Sequence, residues 1–246
     1  MSSRWKDRLG PRTLLAVGIG LVVVLLALRG MVPAGAGVYY DDGIYLALAQ
    51  SLAEGDGYAY ANLPGDVPGV KYPPLYPALL AGAMKLLPAY PDNLGFLETL
   101  NALLTGLAGA LSFLAFTAAW PRADRGTRPG KDRVPRKGRD GGAEVVMPQG
   151  RHRPVRWEIV MAAFAAAALL GYGSAQSMVL ATALLSEPLF LALSFGALLL
   201  AGNRRVHPTI LGLLAAAAFL TRGIGLAVIV AVAAGELFRR GVRRKR

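Results

Sequence analysis

The distribution of charge along the chain is the feature that most limits its fold. Lys, Arg, Asp and Glu make up 17% of the 246 residues, and they gather in blocks that leave long stretches with none. A soluble domain carries about a quarter charged residues. Long uncharged stretches suit a bilayer, in which an uncompensated charge costs several kcal/mol. The sequence therefore predicts an all-α integral membrane protein.

Six apolar runs are candidate membrane-spanning helices, although some are short for a full crossing. The first run follows a basic N-terminus and is interpreted as a retained anchor; a cleavable signal peptide is the alternative. An even number of spans keeps both basic ends of the chain on the same side. The predicted spans are residues 13–28, 94–120, 159–178, 188–201, 209–220 and 224–238.

The basic residues predict the orientation of these spans. With the N-terminus inside, the inside segments hold 23 of the 27 Lys and Arg residues, whereas segment 29–92 holds three against six acidic residues. This is the positive-inside pattern, so both termini are expected in the cytoplasm and the protein in the cell (inner or plasma) membrane. Nucleic-acid binding is the other explanation of the net charge of +12. The bases lie between the apolar runs, so no nucleic-acid partner is predicted.

Three parts follow from this arrangement. Residues 1–120 contain two spans and a long extracytoplasmic loop, 32–93. Residues 121–157 are rich in Gly, Pro and Arg and are predicted to form a disordered cytoplasmic loop beside anionic membrane lipids. Residues 158–246 contain spans three to six and a basic tail. The chain has no cysteine, which excludes disulfides and thiolate metal sites.

The extracytoplasmic loop is far longer than a connection requires and has order of its own. Apolar residues at helical spacing predict a short helix from Asp41 to Ala53, ended by Gly55 or Gly57. Three prolines in five residues are predicted to stop any helix before Pro77, and a second short helix is expected over 78–87. Both helices are predicted to be interfacial, lying at the outer membrane surface with tyrosines at headgroup level.

Asp41 and Asp42 are the paired carboxylates of this loop. One of them could act as a general base that deprotonates an acceptor hydroxyl. The pair could also hold a divalent cation, Mg²⁺ or Mn²⁺, beside a phosphate leaving group. The structural alternative is a helix N-cap with its second acid in solvent. The pair alone leaves these readings open.

Two more polar residues lie at predicted outer ends of spans. Glu187 stands between Ser186, a candidate cap, and Pro188, a first-turn proline, where a carboxylate is favoured by the helix dipole. Arg222 breaks the positive-inside pattern at the turn between the last two spans. An arginine there suits a lipid phosphate, and snorkelling to the headgroups is the alternative.

At this point the residues resemble a known family. The resemblance lies in an ordered set of loop motifs and in two later stretches. The later stretches are Leu185-Ser186-Glu187-Pro188-Leu189-Phe190 and Leu220-Thr221-Arg222. The loop motifs are Asp41-Asp42-x-x-Tyr45-x-x-x-Ala49, Gly55-x-Gly57-Tyr58 and Tyr72-Pro73-Pro74-Leu75-Tyr76-Pro77. The pattern is similar to GT-C membrane glycosyltransferases, and more narrowly to the protein-mannosyltransferase-like group that includes lipid A aminoarabinose transferases and Rgt-type enzymes.

The resemblance implies a polyprenyl-phosphate-linked sugar as donor and transfer, with inversion, to a lipid, glycan or protein acceptor outside the membrane. It implies that Asp41 is the general base, that Asp42 assists or helps to hold a metal, and that Glu187 faces the same cavity and is a further candidate metal ligand. Arg222 is implied to lie near the donor phosphate. The other expected substrate contacts lie in the matching loop motifs or beside them: Tyr45, Lys71, Tyr72 and Tyr76.

The chain also departs from this family. Many relatives follow the arginine with Pro-Glu-Gly, where this chain has Gly223-Ile224-Gly225, and they are usually longer. The chain is therefore expected to be the N-terminal part of such an enzyme, as a fragment or as one product of a split gene completed by a partner chain, or else a minimal homologue. The alternative is a non-catalytic subunit that binds lipid-linked glycans or partner helices. Small residues at 106 and 110, and at 212 and 216, predict close helix packing in either case. A transporter is disfavoured, because no predicted span has a charge at its centre.

Overall fold

The computed structural model describes residues 10–31, 36–65, 67–87, 89–119, 181–203 and 205–244. This part of the chain is mostly helical, and its described residues form no β-strand. The helices are α1 (Pro11–Arg29), α2 (Asp41–Glu54), α3 (Leu75–Met84), α4 (Leu94–Ala119), α5 (Glu187–Ala201), α6 (Pro208–Thr221) and α7 (Leu226–Arg244), with a 3₁₀ turn at Gly223–Gly225.

Two of these helices are long and apolar enough to cross a bilayer: α1, and Leu94–Ala118 of α4. On α1 a stripe that includes Ala16 and Val23 is buried, yet Leu21 and Leu25 on the remaining surface are 59% and 62% exposed. A helix that is apolar on all sides suits a protein core or a membrane. The apolar helices near the C-terminus are shorter, and the predicted span 159–178 and loop 121–157 lie outside the described residues.

Helix α4 is the centre of the described bundle. Helices α1 and α5 pack against it, α6 packs against α5, and α7 packs against α6. The backbones of α1 and α4 come into close contact where two glycines face each other: a Cβ added to Gly20 would lie 2.9 Å from the Gly106 carbonyl oxygen and 3.3 Å from the Ala110 Cβ. The predicted close packing at 106 and 110 is confirmed. At Gly212 an added Cβ meets no described atom within 4 Å.

The first loop helix forms as predicted. Helix α2 begins at Asp41, and Gly55 ends it in the left-handed conformation, with φ of 95°. Glycine adopts this conformation without the steric penalty of a Cβ, which is why it commonly follows helix ends.

The second loop helix begins earlier than predicted. Helix α3 runs over Leu75–Met84 rather than 78–87, so the prediction that the prolines stop a helix before Pro77 is wrong. Pro74 is the N-cap residue and Pro77 lies in the first turn, where a backbone N–H has no intrahelical partner to lose. The Ala78 N–H then donates to the Pro74 carbonyl at 2.9 Å. The prolines therefore start this helix.

Helix α2 is enclosed by the rest of the loop. Its residues 45–49 are all buried, because α3 packs on one side and the connecting segment folds back over another. Leu97 of α4 and Leu184 join the same apolar core. The core consists of Tyr45, Leu46, Leu48, Ala49, Tyr72, Tyr76, Leu80, Ala81, Leu97 and Leu184, and we call it the loop cluster.

Candidate functional site

The two aspartates at the start of α2 have different surroundings. The N-cap residue is Tyr40, so neither aspartate occupies the cap position. Asp42 is 4% exposed, and its Oδ1 accepts hydrogen bonds from the Tyr39 and Gly43 N–H groups at 3.2 and 2.8 Å. Asp41 is partly exposed, and its Oδ1 accepts from the Tyr72 hydroxyl at 2.7 Å. Asp42 thus stabilises the turn before the helix, whereas Asp41 is open to a ligand.

The Tyr72 hydroxyl orients the Asp41 carboxylate through their hydrogen bond. Burial raises the pKa of Tyr72, and its hydrogen bond to the Asp41 carboxylate raises that pKa further, so the hydroxyl stays protonated and donates. The Tyr72 carbonyl in turn accepts from the Tyr58 hydroxyl at 2.8 Å. Asp41 is therefore oriented by a side chain whose own position is fixed by the fold.

Tyr45 connects the loop cluster to the start of α5. Its ring meets the rings of Tyr72 and Tyr76 edge-on, with centroids 5.2 and 5.0 Å apart. Its hydroxyl shares a hydrogen bond of 2.8 Å with the Ser186 hydroxyl. Ser186 is the N-cap residue of α5 and Pro188 lies in its first turn, as predicted, but the Ser186 side chain makes no capping bond. The Ser186 hydroxyl bonds the distant Tyr45 hydroxyl instead of the first backbone N–H groups of α5.

An ion pair between Glu187 and Arg222 lies next to this contact. Glu187 begins α5 and Arg222 follows α6, and their side chains are 48% and 36% exposed. An ion pair this exposed contributes little to stability. Burial raises the pKa of Tyr45 against the opposing effects of the Ser186 bond and the Arg222 charge. Since Glu187 follows Ser186 in the chain, the ion pair lies at the same end of the bundle as the Tyr45 hydroxyl.

Asn101 was not predicted as part of a site, yet its side chain binds the segment just before α5. Asn101 of α4 accepts from the Tyr76 hydroxyl at 3.1 Å and donates to the Ala181 and Ala183 carbonyls. Those carbonyls lie where the backbone leaves helical geometry just before α5. Buried carbonyls freed in this way need a donor. The signal in the sequence is an asparagine within an apolar run, with Thr105 four residues later on the same face.

Lys71 lies on the exposed side of the site. Its Nζ is 5.1 Å from the ring centroid of Tyr72 and 5.9 Å from that of Tyr40. Both distances are in the range of cation–π contacts. Since Tyr72 bonds Asp41, the ammonium of Lys71 and the carboxylate of Asp41 share a neighbour.

The described residues do not assemble a metal site. No three His, Cys, Asp or Glu side chains in this part of the chain lie together so that they could hold a metal ion. Of the predicted ligands, Asp42 is occupied by backbone donors and Glu187 by Arg222. Mg²⁺ and Mn²⁺ need several oxygen ligands around one point. The Mg²⁺ or Mn²⁺ site stays a prediction.

The structure brings most of the predicted site residues into one contiguous network. Asp41, Tyr72 and Lys71 form one end, Tyr45 and Ser186 the middle, and Glu187 with Arg222 the other end. Two other predicted site residues are inaccessible to a ligand: Tyr76 is fully buried and Asp42 is almost fully buried. Comparison of the chain with protein-family models, with curated proteins and with solved structures finds no match.

Proposed function

We propose that the chain is a membrane glycosyltransferase, or the N-terminal part of one, that transfers a sugar from a polyprenyl-phosphate donor to an extracytoplasmic acceptor. One observation carries the proposal: a partly exposed carboxylate and a partly exposed guanidinium lie at the two ends of the Tyr72–Tyr45–Ser186 contacts. Sugar transfer from a phosphate requires a base beside the acceptor and a cation beside the leaving group.

The reaction is a single displacement. The acceptor hydroxyl oxygen attacks the anomeric carbon and forms the new glycosidic bond, while the bond from that carbon to the phosphate oxygen breaks. The electron pair of the broken bond stays on the departing polyprenyl phosphate, and the hydroxyl proton moves to the Asp41 carboxylate. Arg222 stabilises the negative phosphate. One displacement inverts the configuration at the anomeric carbon.

The arrangement around Asp41 supports its role as the base. Its Oδ1 accepts from Tyr72, so the proposal assigns the second carboxylate oxygen, Oδ2, to the acceptor hydroxyl. Tyr72 acts as a positioning residue, because it donates to Asp41 and does not itself touch the reacting atoms. Asp42 is assigned to the turn that presents Asp41.

The proposed topology has six spans and two cytoplasmic termini. The start of α4, the start of α5 and the turn after α6 all lie at the end of the bundle that carries the loop cluster. This agrees with a topology in which residues 94, 187 and 222 are on the outer side. The charge distribution then leaves the acidic loop outside and the basic segments inside.

The test compares two aspartates in the full chain. Membranes that contain the wild type, Asp41→Asn or Asp56→Asn are supplied with labelled polyprenyl-phosphate sugars, and transfer is measured. Asp56 is exposed just after α2 and is the matched control. Asp41→Asn is expected to lower the rate by about 100-fold or more, and Asp56→Asn to leave it near the wild-type rate.

Two outcomes would contradict the proposal. Substantial and equal transfer by the wild type and Asp41→Asn would refute the role of Asp41. No transfer by any of the three proteins, combined with retained binding of the donor lipid, would support the non-catalytic subunit instead.

A further inference from the structure

Tyr40 has a backbone conformation that residues with a Cβ rarely adopt. Its φ and ψ are 63° and −60°, and the Asp41 N–H donates to the Tyr39 carbonyl at 2.7 Å, which closes a γ-turn around Tyr40. A γ-turn with positive φ is strained for such a residue. The other positive-φ positions in the described part of the chain are all glycines: Gly37, Gly55, Gly57 and Gly65.

The fold gains little from an aromatic ring at this position. Tyr40 is 70% exposed, whereas Tyr45, Tyr72 and Tyr76 are between 0% and 7% exposed. A glycine at position 40 would relieve the backbone strain and remove little buried surface. Strain that the fold does not need is a reason to look for a function of the side chain.

The Tyr40 ring lies beside the groups that the proposed reaction uses. It immediately precedes Asp41, and it contacts the Lys71 ammonium, which also contacts the Tyr72 ring. The face of an aromatic ring carries partial negative charge and attracts positively polarised groups. The C–H face of a sugar ring is such a group, and its hydroxyls are partners for an ammonium and a carboxylate.

We propose that Tyr40 is the sugar-stacking residue of this site: its exposed ring packs against the C–H face of the donor sugar, and Lys71 donates hydrogen bonds to the sugar hydroxyls. This inference rests on the proposed function and adds the residue that recognises the transferred group. The strained turn keeps the ring at the edge of the site, next to the base. Tyr39 and Val38 are also exposed, at 39% and 61%, and neither has a positive φ, so contact with headgroups does not require Tyr40.

The experiment separates the ring from the backbone. Detergent-solubilised full chains are titrated with farnesyl phosphate and with farnesyl phosphates that carry mannose, glucose or arabinose. The variants are Tyr40→Gly, which removes the ring and the strain, Tyr40→Phe, which keeps both, and Tyr39→Ser as the matched control. The wild type is expected to bind at least one sugar-bearing lipid about tenfold more tightly than farnesyl phosphate.

Tyr40→Gly is expected to lose this preference while its Tm rises, because strain is relieved. Tyr40→Phe and Tyr39→Ser are expected to keep the preference. A Tyr40→Gly protein that still prefers the sugar-bearing lipid would overturn the inference and leave the proposed function standing. Equal loss of farnesyl phosphate binding in Tyr40→Gly and Tyr39→Ser would show a membrane anchor and overturn it too. A wild type that binds no sugar-bearing lipid would overturn both proposals.

Discussion

The α1–α4 contact and the loop cluster hold the molecule together in opposite ways. Between α1 and α4, Gly20 and Gly106 face each other and let the two backbones approach closely. In the loop cluster, the rings of Tyr45, Tyr72 and Tyr76 are packed against one another, and each hydroxyl has a partner. One contact depends on the absence of side chains, and the other on large side chains with polar ends.

The difference explains where a site can form. Small residues allow close packing of helices in a membrane, but an apolar contact leaves no polar group to direct a ligand. A buried hydroxyl must find a partner, so each tyrosine fixes the direction of another group. Tyr72 fixes Asp41, Tyr45 fixes Ser186, and Tyr76 fixes Asn101. The helix contact therefore supplies the frame, and the tyrosines supply the orientation of the site.

The largest predicted effect is at Asn101. Replacing it with alanine removes the acceptor of the buried Tyr76 hydroxyl and the donor to the Ala183 carbonyl. We expect Asn101→Ala to lower the free energy of unfolding by about 3 kcal/mol, at roughly 1–3 kcal/mol for each group left unpaired. Thermal unfolding in detergent measures the loss. Thr99→Ala on the same helix removes an exposed hydroxyl that donates to the Gly95 carbonyl, and it is expected to change Tm little.

A double substitution sharpens this prediction. Tyr76→Phe removes the hydroxyl that Asn101 accepts from, so the losses of Asn101→Ala and Tyr76→Phe should be less than additive. Strict additivity would contradict a shared hydrogen bond between Tyr76 and Asn101.

Alanine substitutions at two glycines, one inside the α1–α4 contact and one outside it, should change the free energy of unfolding by smaller amounts of opposite sign. At Gly106 an added Cβ would meet the Val24 side chain and would lie 2.7 Å from the Gly20 carbonyl oxygen. We expect Gly106→Ala to lower the free energy of unfolding by about 2 kcal/mol. At Gly18 of α1 nothing lies within 4 Å, so Gly18→Ala should raise it by about 0.5–1 kcal/mol, the ordinary gain from replacing a helical glycine. Equal Tm values for the two variants would show that α1 and α4 do not pack as described.

The helices themselves were largely predictable. The predicted spans 13–28 and 94–120 agree with α1 and α4 within two residues, because an apolar run between charges, prolines and glycines has sharp edges. Helix α7 continues to Arg244, beyond the predicted end at 238. Its last residues are mostly arginines, which are good helix formers, so the end of the apolar run is not the end of the helix.

The start of α3 and the partners of the site were less predictable. The effect of a proline depends on whether its position falls in the first turn of a helix, which a cluster of prolines does not reveal by itself. The partner of Ser186 is Tyr45, 141 residues away, and no local pattern indicates a pairing at that distance. Asp41, Glu187 and Arg222 were found from their chemistry and from a family resemblance, whereas the contacts that join them follow from tertiary packing.

The smallest effect is the ionisation of the buried tyrosines. Burial raises the pKa of Tyr45, Tyr58, Tyr72 and Tyr76 above the ordinary value of 10.0. At about pH 11 the folded protein therefore binds more protons than the unfolded chain, and its free energy of unfolding falls as the pH rises towards the raised pKa values. Tyrosinate absorbance at that pH should show fewer ionised tyrosines in the folded protein than in the unfolded chain.

The same titration tests whether the two regions are independent. Tyr72→Phe and Tyr76→Phe should each reduce the difference between the folded and unfolded protein by one tyrosine, because each removes one protected hydroxyl. Gly106→Ala, as far as it remains folded, should leave the difference unchanged, since it alters a contact in which no tyrosine takes part. If Gly106→Ala exposes the tyrosines to ionisation at about pH 11, the frame and the loop cluster unfold as one unit. The orientation of Asp41 would then depend on the glycine contact as much as on Tyr72.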